Sequence, residues 1–130
     1  FLSLSYRFDL PSRSIVYTGD TGPSAKVTAL AKGADMLVTE MIDLKSTLKA
    51  VSRYAKDTPP ARLARIMEHL KTQHLSEADV GKLARDAGVG RVVITHLSGD
   101  GSPTATRSYV DQIQRIYSGP VVVANDMQRF

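Results

Sequence analysis

Five residues of this 130-residue chain have side chains and neighbours suited to chemistry: Asp20, Glu40, His74, His96 and Asp126. Four of them, Asp20, Glu40, His96 and Asp126, follow short apolar runs of the kind that form buried strands. Asp20 stands in Gly19-Asp20-Thr21-Gly22, directly after Ile15-Val16-Tyr17, where the glycines permit a tight turn and close backbone approach. In a parallel α/β sheet the carboxyl ends of the strands share one edge, and ligands bind in the crevice beyond it. One acidic residue after a strand says little, because Asp also caps helices. Four titratable endings, a histidine among them, favour a site.

Imidazole and carboxylate groups suit zinc, manganese or iron. A carboxylate has two oxygens and can bridge two metals roughly 3.5–4 Å apart, as in two-metal hydrolytic sites. His96 reads equally as a metal ligand or as a satisfied buried histidine. His74, just before a helix start, is either a loop residue or a donor to an anion or a departing group. His69 faces away from the apolar stripe of its helix and reads as solvent-exposed. No G-x-S-x-G elbow, phosphate-binding Walker loop or G-x-G-x-x-G is present, and Gly99-Asp100-Gly101 amounts to a turn.

The elements that must position these residues alternate along the chain. Residues 1–9 carry Leu2, Leu4, Tyr6 and Phe8 at period two, and Leu10-Pro11-Ser12-Arg13 turns them into a hairpin with the strand at 15–18. A helix with Pro23 in its first turn runs to Gly33, and a strand at 36–39 closes on Glu40. Helices follow at 44–58 and 60–71, separated by Pro59-Pro60. The second bears Arg62, Arg65 and Lys71 on its polar side, read as a solvated face or as a contact for an anionic substrate. Ser76, Asp79, the pair Leu75 and Val80, and Gly88 bound a well-signed helix. Strand 92–95 delivers His96, a helix carrying Tyr109, Val110, Ile113, Ile116 and Tyr117 runs toward Gly119, and strand 121–124 delivers Asp126. This order predicts an α/β fold with a mixed sheet, an N-terminal hairpin and parallel strands thereafter. The unbroken apolar runs predict strands covered on both faces.

Composition sets broad limits. With 42% apolar and 23% charged residues the chain reads as one globular domain, 1–130. No apolar run approaches the roughly 20 residues of a spanning helix, and no signal peptide is visible. The absence of cysteine agrees with a cytoplasmic, reducing location, with a periplasmic one left open. The net charge of +4 mildly favours anionic partners, but the few aromatics do not alternate with basic residues, so nucleic acid is not indicated. The chain opens with Phe1, in mid-strand, and reads as a piece of something longer.

Taken together, Ser14-Ile-Val-Tyr-Thr-Gly-Asp-Thr-Gly22, Thr39-Glu40, His74-Leu-Ser-Glu-Ala-Asp-Val-Gly-Lys-Leu-Ala84 and Val92-Val-Ile-Thr-His-Leu97 resemble the metallo-β-lactamase superfamily, and within it the ribonuclease Z-like hydrolases. The resemblance covers nearly the whole chain. It implies half of an αββα sandwich, the C-terminal half, with a helical insertion at about 44–71. It implies that Asp20 bridges two divalent metals, zinc first and manganese or iron as alternatives, that His96 is the last ligand of the second metal, and that His74 contacts the substrate and helps the leaving group depart. Gly19, Thr21, Glu40 and Asp126 stand as supporting residues. The substrate would be a phosphodiester or another ester, and no membrane is involved.

The family's H-x-H-x-D-H cluster is absent here. Leu75-Ser76 also stands where ribonuclease Z usually has Ser-Thr, and the insertion at 44–71 is longer than expected for a transfer-RNA-maturing enzyme. Asp20 and His96 alone fall short of the three protein ligands usual for catalytic zinc, so the isolated chain is expected to be inactive without its missing N-terminal half. A half-sandwich exposes one sheet face, and apolar patches of that size drive association, including homo-oligomers. Two non-enzymatic readings compete: a partner-binding half-domain, and a phospho-accepting receiver module. The receiver lacks its paired acids and its lysine here.

Overall fold

A two-residue turn, Pro11-Ser12, folds β1 (Tyr6–Leu10) back on β2 (Arg13–Tyr17), pairing Leu10 with Arg13 and Tyr6 with Tyr17. This hairpin opens a five-stranded sheet of order β1-β2-β3-β4-β5 in the computed structural model, which describes residues 3–130. β3 (Met36–Ile42) lies parallel to β2, β4 (Val92–Ser98) parallel to β3, and β5 (Val121–Val123) parallel to β4. The mixed sheet and the hairpin therefore match the alternation in the sequence. Leu2, assigned to the first strand, lies outside the described residues.

Three helices cover one face of this sheet. Val16, Leu37, Val92, Ile94 and Val121 pack against α1 (Ala25–Ala31), α4 (Glu77–Ala87) and α5 (Pro103–Gln114), chiefly through Val27, Ala31, Val80, Ala84, Tyr109 and Ile113. Helix α4 has the predicted boundaries: Ser76 and Asp79 form a reciprocal capping box, and Gly88 closes the helix in a left-handed conformation. Helix α1 starts later than Pro23, because the Ser24 side chain accepts the Val27 N–H and caps it. Neither helix is capped by Asp20. Helix α5 stops at Gln114, so Ile116 and Tyr117 belong to the turn that follows it.

The opposite face is only partly covered, which corrects the expectation of two covered faces: Met36 and Val93 are buried there, whereas Tyr17 and Val122 are 42% and 37% exposed. By strand register it carries Tyr6, Phe8, Ile15, Tyr17, Met36, Val38, Val93 and Val122, none of which joins the main core. Tyr6 and Phe8 are 50% and 53% exposed. An apolar run reads alike whether its second face is already covered or awaits another layer.

Between β3 and α4 the chain leaves the sheet as two helices, α2 (Leu44–Tyr54) and α3 (Pro60–Thr72). Neither has a buried residue, and they pack on one another. Helix α2 ends at Tyr54, short of the 58 expected. No helix among the described residues is long and apolar enough to cross a membrane.

Candidate active site

The loop after β2 passes through Gly19, whose φ of +60° suits glycine and whose missing side chain leaves room for the Leu4 carbonyl. Thr18 is buried and donates its N–H to Val38, which ties the loop to β3. Asp20 then projects toward β4, where its Oδ1 lies 2.7 Å from His96 Nδ1. Both side chains are more than half exposed, at 55% and 62%.

His96 reaches Asp20 because β4 is bulged. Thr39 pairs with Ile94 and Met41 with Leu97, so three steps on β4 match two on β3. His96 takes up the extra residue with φ +43°, a left-handed conformation that is uncommon outside glycine. Bulges re-aim side chains beside functional sites.

Glu40 lies on the other side of the same turn and has a different environment. Its side chain is 2% exposed. Oε1 accepts N–H bonds from Thr21 (3.2 Å) and Leu75 (3.1 Å), and Oε2 lies 3.0 Å from His74 Nδ1. Burial pushes the Glu40 carboxyl above the ordinary glutamate range, against the opposing pull of His74 and of the two backbone donors. With Oε1 filled by two donors, His74 Nδ1–H donates to the Glu40 carboxylate and its Nε2 remains free.

Two carboxylate–imidazole pairs therefore flank one turn, linked through the Thr21 N–H. The reading of four strand ends needs correcting: Glu40 and His96 lie inside β3 and β4, each of which continues for two residues. Met41 and Ile42 are fully buried and carry the strand on. A polar residue does not end a strand when backbone donors satisfy it. Glu40 holds the Asp20 turn and His74 together, and its oxygens are occupied by those contacts. Asp126 sits exposed in the turn after β5, and its carboxylate bonds neither Asp20 nor His96.

Other features had weaker sequence signals. His69 is exposed, as expected, yet its ring meets that of His74 edge to face, with centroids 5.6 Å apart and planes at 87°. The Asp43 carboxylate caps α2 through the Ser46 N–H (2.9 Å) and accepts the Tyr109 hydroxyl (2.9 Å). Neither contact was read from the sequence; Asp directly before a helical run is the signal that could have found the cap, and the tyrosine partner left none. Gly22 has no side chain because the Thr72 carbonyl would lie 1.9 Å from its Cβ.

As a donor set for a metal, Asp20 and His96 offer an oxygen and a nitrogen of the right chemistry. No group of three His, Cys, Asp or Glu side chains suited to a metal occurs among the described residues. The pair fits part of a metal site.

No family model matches the sequence. Ribonuclease Z of Myxococcus xanthus (strain DK1622) is 32% identical over 116 residues, covering 89% of this chain and 32% of the relative. Ribonuclease BN of Escherichia coli O1:K1 / APEC is 34% identical over 90 residues, covering 68% of this chain and 23% of the relative. The metallo-β-lactamase fold protein YhfI from Bacillus subtilis superposes with a TM-score of 0.65 at 20% identity, over 93% of this chain and 40% of that one. The chain thus spans about a third or less of the length of these curated relatives. Its mixed five-stranded sheet with helices on one face matches the metallo-β-lactamase fold. The chain belongs to the metallo-β-lactamase superfamily, among its ribonuclease Z-like members.

Proposed function

We propose that this chain is the C-terminal half of a metal-dependent hydrolase that cleaves phosphodiesters, RNA being the class that its relatives' names indicate. One observation carries the reading: the Asp20–His96 and Glu40–His74 pairs flank a single turn.

Asp20 and His96 would hold the metal, zinc before manganese or iron, and the second Asp20 oxygen could serve a second ion. A bound pair of such ions supplies a water acidic enough to attack at neutral pH and a Lewis acid on the phosphoryl oxygen. Glu40 fixes the His74 ring through Nδ1, and in the imidazolium form the ring carries its second proton on Nε2. As the bond from phosphorus to the leaving oxygen breaks, that Nε2 proton passes to the departing oxygen. The ring is then neutral, with Nδ1–H still on Glu40, and takes its next proton from water.

Two protein donors are fewer than a catalytic zinc site uses, so the remaining ligands come from the absent half and the isolated chain is inactive. The open face at Tyr6, Phe8 and Tyr17 offers the apolar surface on which that half would pack. A purely partner-binding module has only this open face in its favour.

The test is made in the complete protein. Asp20→Ala should lose bound metal and the turnover of bis(p-nitrophenyl) phosphate together. His74→Ala should slow cleavage of a diester with a poor leaving group far more than one releasing p-nitrophenolate, which departs without a proton. Unchanged metal content in Asp20→Ala would sink the assignment.

A further inference from the structure

The charge of this protein is concentrated in one place. Residues 44–72 hold seven of the 17 basic side chains and two of the 13 acidic ones, so this stretch carries +5 and the remainder −1. All seven (Lys45, Lys49, Arg53, Lys56, Arg62, Arg65 and Lys71) are exposed. On α2, Lys45, Lys49 and Arg53 recur every four residues and share a face; on α3, Arg62, Arg65 and His69 do the same at spacings of three and four. The α3 stripe ends at His69, whose ring rests against that of His74. The arm is also fixed at its root, where Thr72 packs on Gly22 beside Asp20 and Leu75 accepts the Ile42 N–H at 2.9 Å.

We propose that the α2–α3 arm is the surface that grips an RNA strand beside His74, with Arg62, Arg65 and His69 as a phosphate track and Tyr54 as a base-stacking platform. This assignment rests on the reading of His74 as a group that meets a phosphodiester. Phosphate contacts from Arg and Lys supply most of the affinity for a nucleic-acid strand, and aromatic faces take up unstacked bases. Tyr54 is 85% exposed beside Arg53, and it is the arm's one exposed large hydrophobic among the described residues. The arm's other large apolar side chains, such as Leu48, Val51, Leu63 and Met67, are half-buried. That leaves no broad apolar face for a bilayer, which membrane-surface helices require.

The experiment uses the complete protein, a fluorescein-labelled single-stranded RNA oligonucleotide and bis(p-nitrophenyl) phosphate. The double variant Arg62→Gln/Arg65→Gln should weaken RNA binding and flatten the plot of log affinity against log salt by about 0.7 for each lost phosphate contact. Tyr54→Ala should weaken binding with the salt slope unchanged. Turnover of the small diester should stay at the wild-type level in both. Removing two charges elsewhere, in Arg107→Gln/Arg115→Gln on α5 and at its C-cap, should leave affinity and slope alone. Wild-type affinity and slope in the α3 variant, an equal loss in the α5 control, or displacement of the RNA by polyglutamate of matched charge would each overturn the assignment. Failure of the catalytic reading shows separately, as wild-type cleavage of a diester with a poor leaving group in His74→Ala.

Discussion

The Glu40 carboxylate, buried at 2% exposure, lies 3.0 Å from His74 Nδ1 while two backbone N–H groups fill its other oxygen. A buried charge of this kind is costly unless fully bonded, and here every contact it makes also fixes a part of the site. Glu40→Ala strands the Thr21 and Leu75 donors and should cost about 2–4 kcal/mol in chemical denaturation, from the penalty on unsatisfied buried groups.

Glu40→Gln separates charge from shape. Its carbonyl can keep the two backbone donors while its amide donates to His74 Nδ1, which moves the neutral ring's proton to Nε2. The folded protein holds the Glu40 proton more tightly than the unfolded chain. Stability from this group is therefore full below the ordinary glutamate pKa and is lost as pH rises through the raised one. The glutamine variant lacks that loss, so the stability difference between variant and wild type should grow as pH rises from acid toward neutral. A difference that is flat with pH, measured by urea titration, would mean that burial does not raise the Glu40 carboxyl above its ordinary range. Hydrolysis by the complete protein should fall in the same variant, because its His74 lacks a counter-charge.

Asp20 and His96 should behave in the opposite way. Both are more than half exposed, and exposed ion pairs contribute little. Asp20→Asn should change stability by less than about 1 kcal/mol while lowering metal content in the complete protein. A large loss of stability without loss of metal would make the pair structural.

Gly22→Ala is expected to be far harsher than its size implies. The added methyl meets the Thr72 carbonyl, 1.9 Å away, so the turn or the arm must shift. Overpacking of this kind costs about 1–3 kcal/mol, read as a lower midpoint in thermal unfolding, with diester turnover falling alongside.

Tyr109 offers a check at high pH. Burial, together with its bond to Asp43, pushes its hydroxyl up to about 12 from 10.0. The stabilisation is complete below the unfolded value and disappears as pH rises between the two. Wild-type protein should lose stability across that interval more steeply than Tyr109→Phe, which is itself weaker by about 1 kcal/mol at neutral pH for the lost hydrogen bond. Parallel curves would remove Tyr109 as the cause.

What was legible in the sequence was what short-range chemistry decides. Ser76, Asp79 and Gly88 bound α4 through contacts made within that helix and its caps, and Pro59-Pro60 parts α2 from α3 wherever the arm sits. Asp20, His74 and His96 were singled out because glycines and apolar runs frame them. The bulge at His96 was hidden, since it arises from pairing with β3 and leaves no glycine or proline as a mark. Glu40 was noticed, but its partners Thr21 and Leu75 lie 19 and 35 residues away, beyond any local pattern. The same distance effect concealed the bond from Tyr109 to Asp43. The basic arm was visible only as a polar helix side until both helices could be counted together.

The hydrogen bond from Ile42 N–H to the Leu75 carbonyl, 2.9 Å long, has a consequence for how such a protein can diverge. The arm leaves the sheet and returns to the same rung, so it is a cassette on a closed stem. Lengthening a loop whose ends are already pinned costs little, about 0.6 kcal/mol per doubling. Insertions, deletions or a whole exchanged arm can therefore be accommodated without moving Glu40, His74 or Asp20. On the proposed reading of the arm and of His74, substrate range and cleavage chemistry are thereby uncoupled, and the arm is the segment to swap when transplanting specificity.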